Sequence, residues 1–199
     1  MSYSACCSQP SEDKVNDLVS VQCERAVRHE PESLRAPKLT FKIAILGDSN
    51  SGKTTLMSKL VYNVLPEDVQ LTSGCGYESY ICNNEHGDVV HCQIWDTAGQ
   101  ERFNSLVPVY IRDTDLCLIA LSCESSKAEN DAALIRWLAM LRTVAPNSAV
   151  LIVATKSDLL SFSVLADGRC ELVTSSLTGQ GVDEVRGAIS KHANVMHSD

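Results

Sequence analysis

The octet Gly47-Asp48-Ser49-Asn50-Ser51-Gly52-Lys53-Thr54 sets two glycines, a lysine and a threonine in the spacing G-x-x-x-x-G-K-[ST]. The chemistry of that spacing is anion binding. A strand ends, the backbone wraps around a phosphate and a helix begins, so that loop amides and the positive end of the helix dipole converge on the anion. Gly47 and Gly52 permit the backbone angles and the close approach. Lys53 is placed to bridge the β- and γ-phosphates and the Thr54 hydroxyl to bind Mg2+, with Thr55 beside them. Such a match arises by chance in on the order of 1% of chains this long. The loop must therefore also lie between a strand and a helix.

That context is present. Leu39–Leu46 is a β-rich run ending in the glycine loop, and residues 53–64 follow with helical spacing until Pro66 stops them. Residues 77–82 and 89–95 read as paired strands joined around His86-Gly87-Asp88, where a turn is easy. Leu116–Ser122 and Ala149–Thr155 are continuous apolar runs, as expected of strands buried on both faces. Residues 132–143 between them are helical, and a short strand near 172–174 and a last helix near 182–192 follow. Strands alternating with helices predict an α/β fold with a mostly parallel, six-stranded sheet and helices on both faces. Residues 1–37 are polar and read as a flexible extension, with a weak helical pattern at Val15, Leu18, Val19, Gln22 and Ala26; residues 38–199 form the expected domain.

A phosphate loop leaves the base and the reaction open, because adenylate-type kinases, ATPases and GTPases all use one. The segment Trp95-Asp96-Thr97-Ala98-Gly99-Gln100-Glu101-Arg102-Phe103 narrows the choice. Here the chain resembles the Ras superfamily of small GTPases, the Rab branch most closely, in which WDTAGQERF opens the second switch. The resemblance runs from about Lys38 to His192 and implies a P-loop small G domain. Asp96 follows a buried strand, so its carboxylate can reach the Mg2+ shell through water. The Gly99 amide is implied to meet the γ-phosphate and Gln100 to orient the attacking water. The family has an essential threonine 18 residues after the Mg2+-binding hydroxyl; 72 − 54 = 18, and position 72 is Thr72. Its hydroxyl is expected on Mg2+ and its amide on the γ-phosphate. Ser73-Gly74-Cys75-Gly76-Tyr77 resembles the family's T-I-G-x-x-F, with Ser73 replacing an aliphatic residue.

The same resemblance assigns the base. Thr155-Lys156-Ser157-Asp158 is similar to N-K-x-D, so Asp158 is expected to accept from the guanine N1–H and amine, and the Lys156 stem to cover the ring. Thr155 replaces the usual Asn and is expected to lose a tie between base and phosphate loop. Thr174-Ser175-Ser176-Leu177-Thr178 resembles the T-S-A-K loop near the guanine oxygen; the Ser176 amide can still serve, with Ser175 and Leu177 beside it. Tyr77, Trp95 and Tyr110 fall where the Rab branch has an aromatic cluster that reads effectors, although ordinary packing would explain each alone.

Other features bound this reading. A net charge of −8 argues against broad attraction to nucleic acid or anionic lipid. The nine cysteines form no C-x-x-C pair, so free thiols in a reducing compartment are expected rather than disulfides or structural zinc. No apolar stretch approaches the roughly 20 residues that span a bilayer. Only 15 residues separate Asp158 from Thr174 (174 − 158 − 1), so a helix that relatives carry there is expected to be truncated. Residues 191–199 hold no cysteine for prenylation, Ser2 is not the glycine of myristoylation, and Cys6-Cys7 are candidates for acylation.

The resemblance thus implies a Rab-like switch that binds GTP and Mg2+ and hydrolyses GTP to GDP, slowly without an activating partner. It implies effector, exchange-factor and GTPase-activating proteins and a location in the cytoplasm or peripheral on an endomembrane. A nucleotide-stabilised scaffold that hydrolyses poorly is the alternative.

Overall fold

The computed structural model describes residues 39–66, 72, 75–99, 105–159 and 170–195. Six strands, β1 (Leu39–Leu46), β2 (Cys75–Asn83), β3 (Val89–Thr97), β4 (Leu116–Ser122), β5 (Ala149–Thr155) and β6 (Leu172–Val173), form one sheet in the order β2-β3-β1-β4-β5-β6. Only β2 runs antiparallel to its neighbour, β3; the remaining pairs are parallel. The α/β expectation is met. Helices α1 (Lys53–Tyr62), α2 (Val107–Ile111), α3 (Lys127–Val144) and α4 (Val182–Val195) cover the faces.

Strand alternation explains why the central runs are apolar throughout. Phe41, Ile43 and Ile45 of β1 and Leu116 and Leu118 of β4 pack on one face with Leu56 and Leu60 of α1 and Val185 and Ile189 of α4. Their neighbours Ala44, Leu46, Cys117 and Ile119 pack on the other face with Ile111 of α2 and Trp137 and Leu141 of α3. A strand between two cores must be apolar at every position, and β4 is buried at all seven.

Several boundaries differ from the sequence expectation for local reasons. Helix α1 stops at Tyr62 because Asn63 turns left-handed (φ 57°) and returns its N–H to the Lys59 carbonyl. Helix α3 begins five residues before 132. Ser126 Oγ accepts from the Glu129 N–H and the Glu129 carboxylate accepts from the Ser126 N–H, a capping box ahead of a polar first turn. Helix α2, five residues with a proline in its first turn, escaped the periodicity reading. The β2–β3 turn is held by Asn84 Oδ1, which accepts from the His86 and Asp88 amides. Arg186 of α4 donates to the Lys59 and Leu60 carbonyls and so caps the end of α1.

The expectations for residues 1–37, for Ser73, Gly74 and Gln100, and for a truncated helix across 160–169 lie outside the described residues. Cys75, Cys82, Cys92, Cys117 and Cys123 carry thiols. Among the described residues no helix is long and apolar enough to cross a membrane.

Candidate functional site

The site forms at the C-terminal ends of β1, β3, β4 and β5, where a parallel sheet leaves a crevice. From β1 the chain turns through Gly47 (φ 147°), Asn50 (φ 63°) and Gly52 (φ 81°) into α1. At Gly47 a Cβ would stand 2.5 Å from the Ala120 carbonyl oxygen, so glycine is required by space as well as by angle. Asn50 is one of the few non-glycine residues that adopt the left-handed angle readily. Ser49 and Asn50 are exposed, whereas Gly47, Ser51 and Lys53 are buried.

Lys53 folds back over the loop, its Nζ donating to the Asp48 carbonyl at 2.7 Å and lying 3.4 Å from Ser51 Oγ. Burial pulls its ammonium down to about 8, against the opposing pull of Asp96 and Asp48. An anion in the loop would restore that charge. Thr54 and Thr55 follow in the first turn of α1.

Thr54, Thr72 and Asp96 come together from three separate segments. Thr54 Oγ1 donates to Asp96 Oδ2 at 2.5 Å, the Thr54 and Thr72 hydroxyls are 2.8 Å apart, and Thr72 Oγ1 is 3.4 Å from Asp96 Oδ2. Asp96 is fully buried, and its Oδ1 has no hydrogen-bond partner. Desolvation pushes its carboxyl above the usual range, partly offset by the Thr54 hydrogen bond, Lys53 and Thr72. Two hydroxyls and one carboxylate with a spare buried oxygen are hard donors in the number that suits Mg2+, which takes one or two carboxylates and completes its shell with phosphate and water. The residues fit that ion.

Gly99 ends the strand-to-switch segment against the phosphate loop. A Cβ there would lie 2.5 Å from the Asp48 carbonyl carbon and the Ser49 nitrogen, so only glycine brings this peptide so close. The neighbouring Gln100 lies outside the described residues.

At the other end lies a cleft of about 260 Å3 lined by Gly52, Thr55, Thr155, Lys156, Asp158, Ser176 and Leu177, and also by Leu65, Pro66 and Leu159. The last three were not anticipated from sequence, although apolar side chains just beyond α1 and the Asp158 motif were a readable signal. Asp158 is exposed on a 3-10 turn (Ser157–Leu159), and its Oδ1 accepts from Ser175 Oγ. Lys156 (φ 57°) pairs with Glu124 at 2.8 Å. Ser176 and Leu177 stand in the turn after β6.

Thr155 is buried at the end of β5. Its hydroxyl lies 2.6 Å from the Ser51 carbonyl and 3.2 Å from the Leu121 carbonyl, so the replacement of Asn keeps a tie to the phosphate loop. One hydroxyl proton is thus shared between two carbonyls.

Away from the cleft, Tyr77 meets Trp95 edge-on with centroids 5.0 Å apart, and Trp95 stacks with Tyr110 at 6.1 Å. Tyr77 is 46% exposed, and Lys42 Nζ lies 5.2 Å from the Trp95 ring centre. The three aromatics do form one cluster.

The family model described as "Ras of Complex, Roc, domain of DAPkinase" matches residues 42–158. The chain is similar to the Ras-related protein Rab-4B of Homo sapiens, 35% identical over 155 residues that cover 72% of this chain and 71% of that protein. It is 33% identical to the Ras-related protein Rab-5B of Plasmodium falciparum, covering 65% of this chain and 62% of that one. It is 31% identical to the GTP-binding protein RHO4 of Eremothecium gossypii over 65% of this chain, and spans about half of that relative (49%). With a loop, an oxygen cluster and a base-sized cleft arranged on this sheet, the chain belongs to the Ras superfamily of small GTPases, close to the Rab branch.

Proposed function

We propose that this protein binds GTP with Mg2+, hydrolyses it to GDP, and acts as a conformational switch in vesicle trafficking or intracellular signalling. The observation that carries the reading is the meeting of Thr54, Thr72 and Asp96 oxygens within 3.4 Å beside Lys53. Residues 47–55 cradle the phosphates, and Lys53 supplies the charge that burial has made costly to carry alone. Thr54, Thr72 and Asp96 hold Mg2+, which when bound neutralises charge on the terminal phosphates. Gly99 gives its amide to the γ-phosphate and Gln100 orients the attacking water. Asp158 selects guanine, Lys156, Leu65 and Leu177 flank the base, and Thr155, Ser175 and Ser176 support that end. The γ-phosphate, when bound, holds Thr72 and Gly99, and its loss on hydrolysis releases them, which makes the site a switch.

The Tyr77–Trp95–Tyr110 cluster is the surface read by an effector, and exchange and GTPase-activating proteins set the cycle. The protein acts in the cytoplasm or on the surface of an endomembrane. The test is single-turnover hydrolysis of GTP by the full chain and by Gln100→Leu. A sharp fall in the variant with GTP still bound is expected. Bound GTP left unconverted by the wild type would leave a binding scaffold as the better reading.

A further inference from the structure

Asp48 lies where three parts of the molecule touch the same residue. Its carbonyl accepts from Lys53 Nζ at 2.7 Å and from the Ser51 N–H at 3.2 Å. The peptide joining it to Ser49 is the surface against which Gly99 packs. Its side chain meanwhile leaves the loop for α3: Oδ1 accepts from Trp137 Nε1 at 2.8 Å and forms an ion pair with Arg136. The Arg136 guanidinium also lies over the Trp137 ring, 5.6 Å from its centre. Trp137 is 1% exposed and locked in the core, so the indole N–H is a fixed donor. An acidic side chain in an anion-binding loop would repel phosphates unless neutralised, and the guanidinium on its Oδ1 does that.

We propose that Arg136 and Trp137 are positioning residues for the nucleotide, clamping Asp48 so that its peptide is a rigid seat for Lys53 and Gly99. The claim deepens the proposed function and rests on it. Helix α3 thereby becomes a handle on the phosphate loop: whatever displaces Arg136, an exposed side chain, loosens nucleotide retention. Trp137 sets the direction of the carboxylate and Arg136 its charge.

The test uses the full chain with Mg2+ and a fluorescent GDP. Arg136→Gln, at an exposed site, is expected to speed release about three- to fivefold, and Asp48→Ala about tenfold. In the double variant the Arg136 change should add nothing, because its partner is gone. The Trp137 indole N–H resonance, identified by its loss in Trp137→Phe, should move in Asp48→Ala and in Arg136→Gln. Exchange of the Ser51 amide, which needs no nucleotide, should quicken in Arg136→Gln. If the wild type holds no guanine nucleotide, the proposed function falls, and quicker Ser51 exchange in Arg136→Gln would leave the clamp standing as a loop-positioning device. Release changed less than twofold in a wild type that does bind, or unchanged Ser51 exchange, overturns the clamp.

Discussion

The two ends of the site are built by different means. At the phosphate end the backbone dominates: Gly47 and Gly99 sit where a Cβ would meet main-chain atoms at 2.5 Å, and the oxygen cluster is half-buried or buried. At the base end side chains dominate: Asp158, Leu159 and Leu177 are exposed, and the lining comes from four separate segments. The contrast teaches where substitution can be absorbed. A backbone seat leaves no room for a side chain at its glycines, whereas the side-chain wall at Ser176 and Leu177 borders open space. Thr155 spans both ends, since its hydroxyl reaches the loop carbonyl of Ser51 from the base-side motif.

Variants at four positions break or sharpen this contrast. The largest effect is expected for Asp96→Ala, which removes the carboxylate that meets Thr54 and Thr72. Nucleotide release should rise on the order of a hundredfold and lose its response to Mg2+ chelation. Next, Asp158→Asn should leave phosphate binding intact while guanine preference over adenine falls by about ten- to a hundredfold, measured by ATP competition. If both variants gave the same loss for GTP and ATP, the division into two ends would be wrong.

Thr155→Ala should cost about 1–2 kcal/mol in urea unfolding, because the buried Ser51 and Leu121 carbonyls lose their donor. Thr155→Asn should recover most of it, as an amide brings two protons to two acceptors.

The smallest change is expected at Glu129, which caps α3 behind the phosphate loop. The Ser126 hydroxyl and then its backbone N–H hold the Glu129 carboxyl below its ordinary value of 4.5. A carboxyl lowered on folding contributes stability present above the unfolded value and lost as pH falls through the folded one. The melting difference between wild type and Glu129→Gln should therefore be present at pH 7 and fade below about pH 4.5. A difference that persists in acid would detach the cap from the charge.

The legibility of the sequence followed the same contrast. The octet at 47–54 and the apolar runs of β1, β4 and β5 could be read directly, because a backbone loop and a doubly buried strand each impose local spacing. Thr72 was found by distance from Thr54 and stands 2.8 Å from it. Less was legible where contacts are long-range. The pairing of Asp48 with Arg136 and Trp137, 88 and 89 residues away, has no local pattern. The role of the Thr155 hydroxyl was likewise hidden, since its acceptors belong to the loop and to β4. The start of α3 was missed because its first turn faces solvent and lacks hydrophobic period, although the Ser126–Glu129 box was there to read.

The central claim is that one site joins a phosphate seat to a guanine selector. Competition between GTP and ATP for the purified chain with Mg2+ tests it most directly. The account predicts that ATP fails to displace bound GTP at an excess of about a hundredfold; displacement at equal concentrations would contradict it.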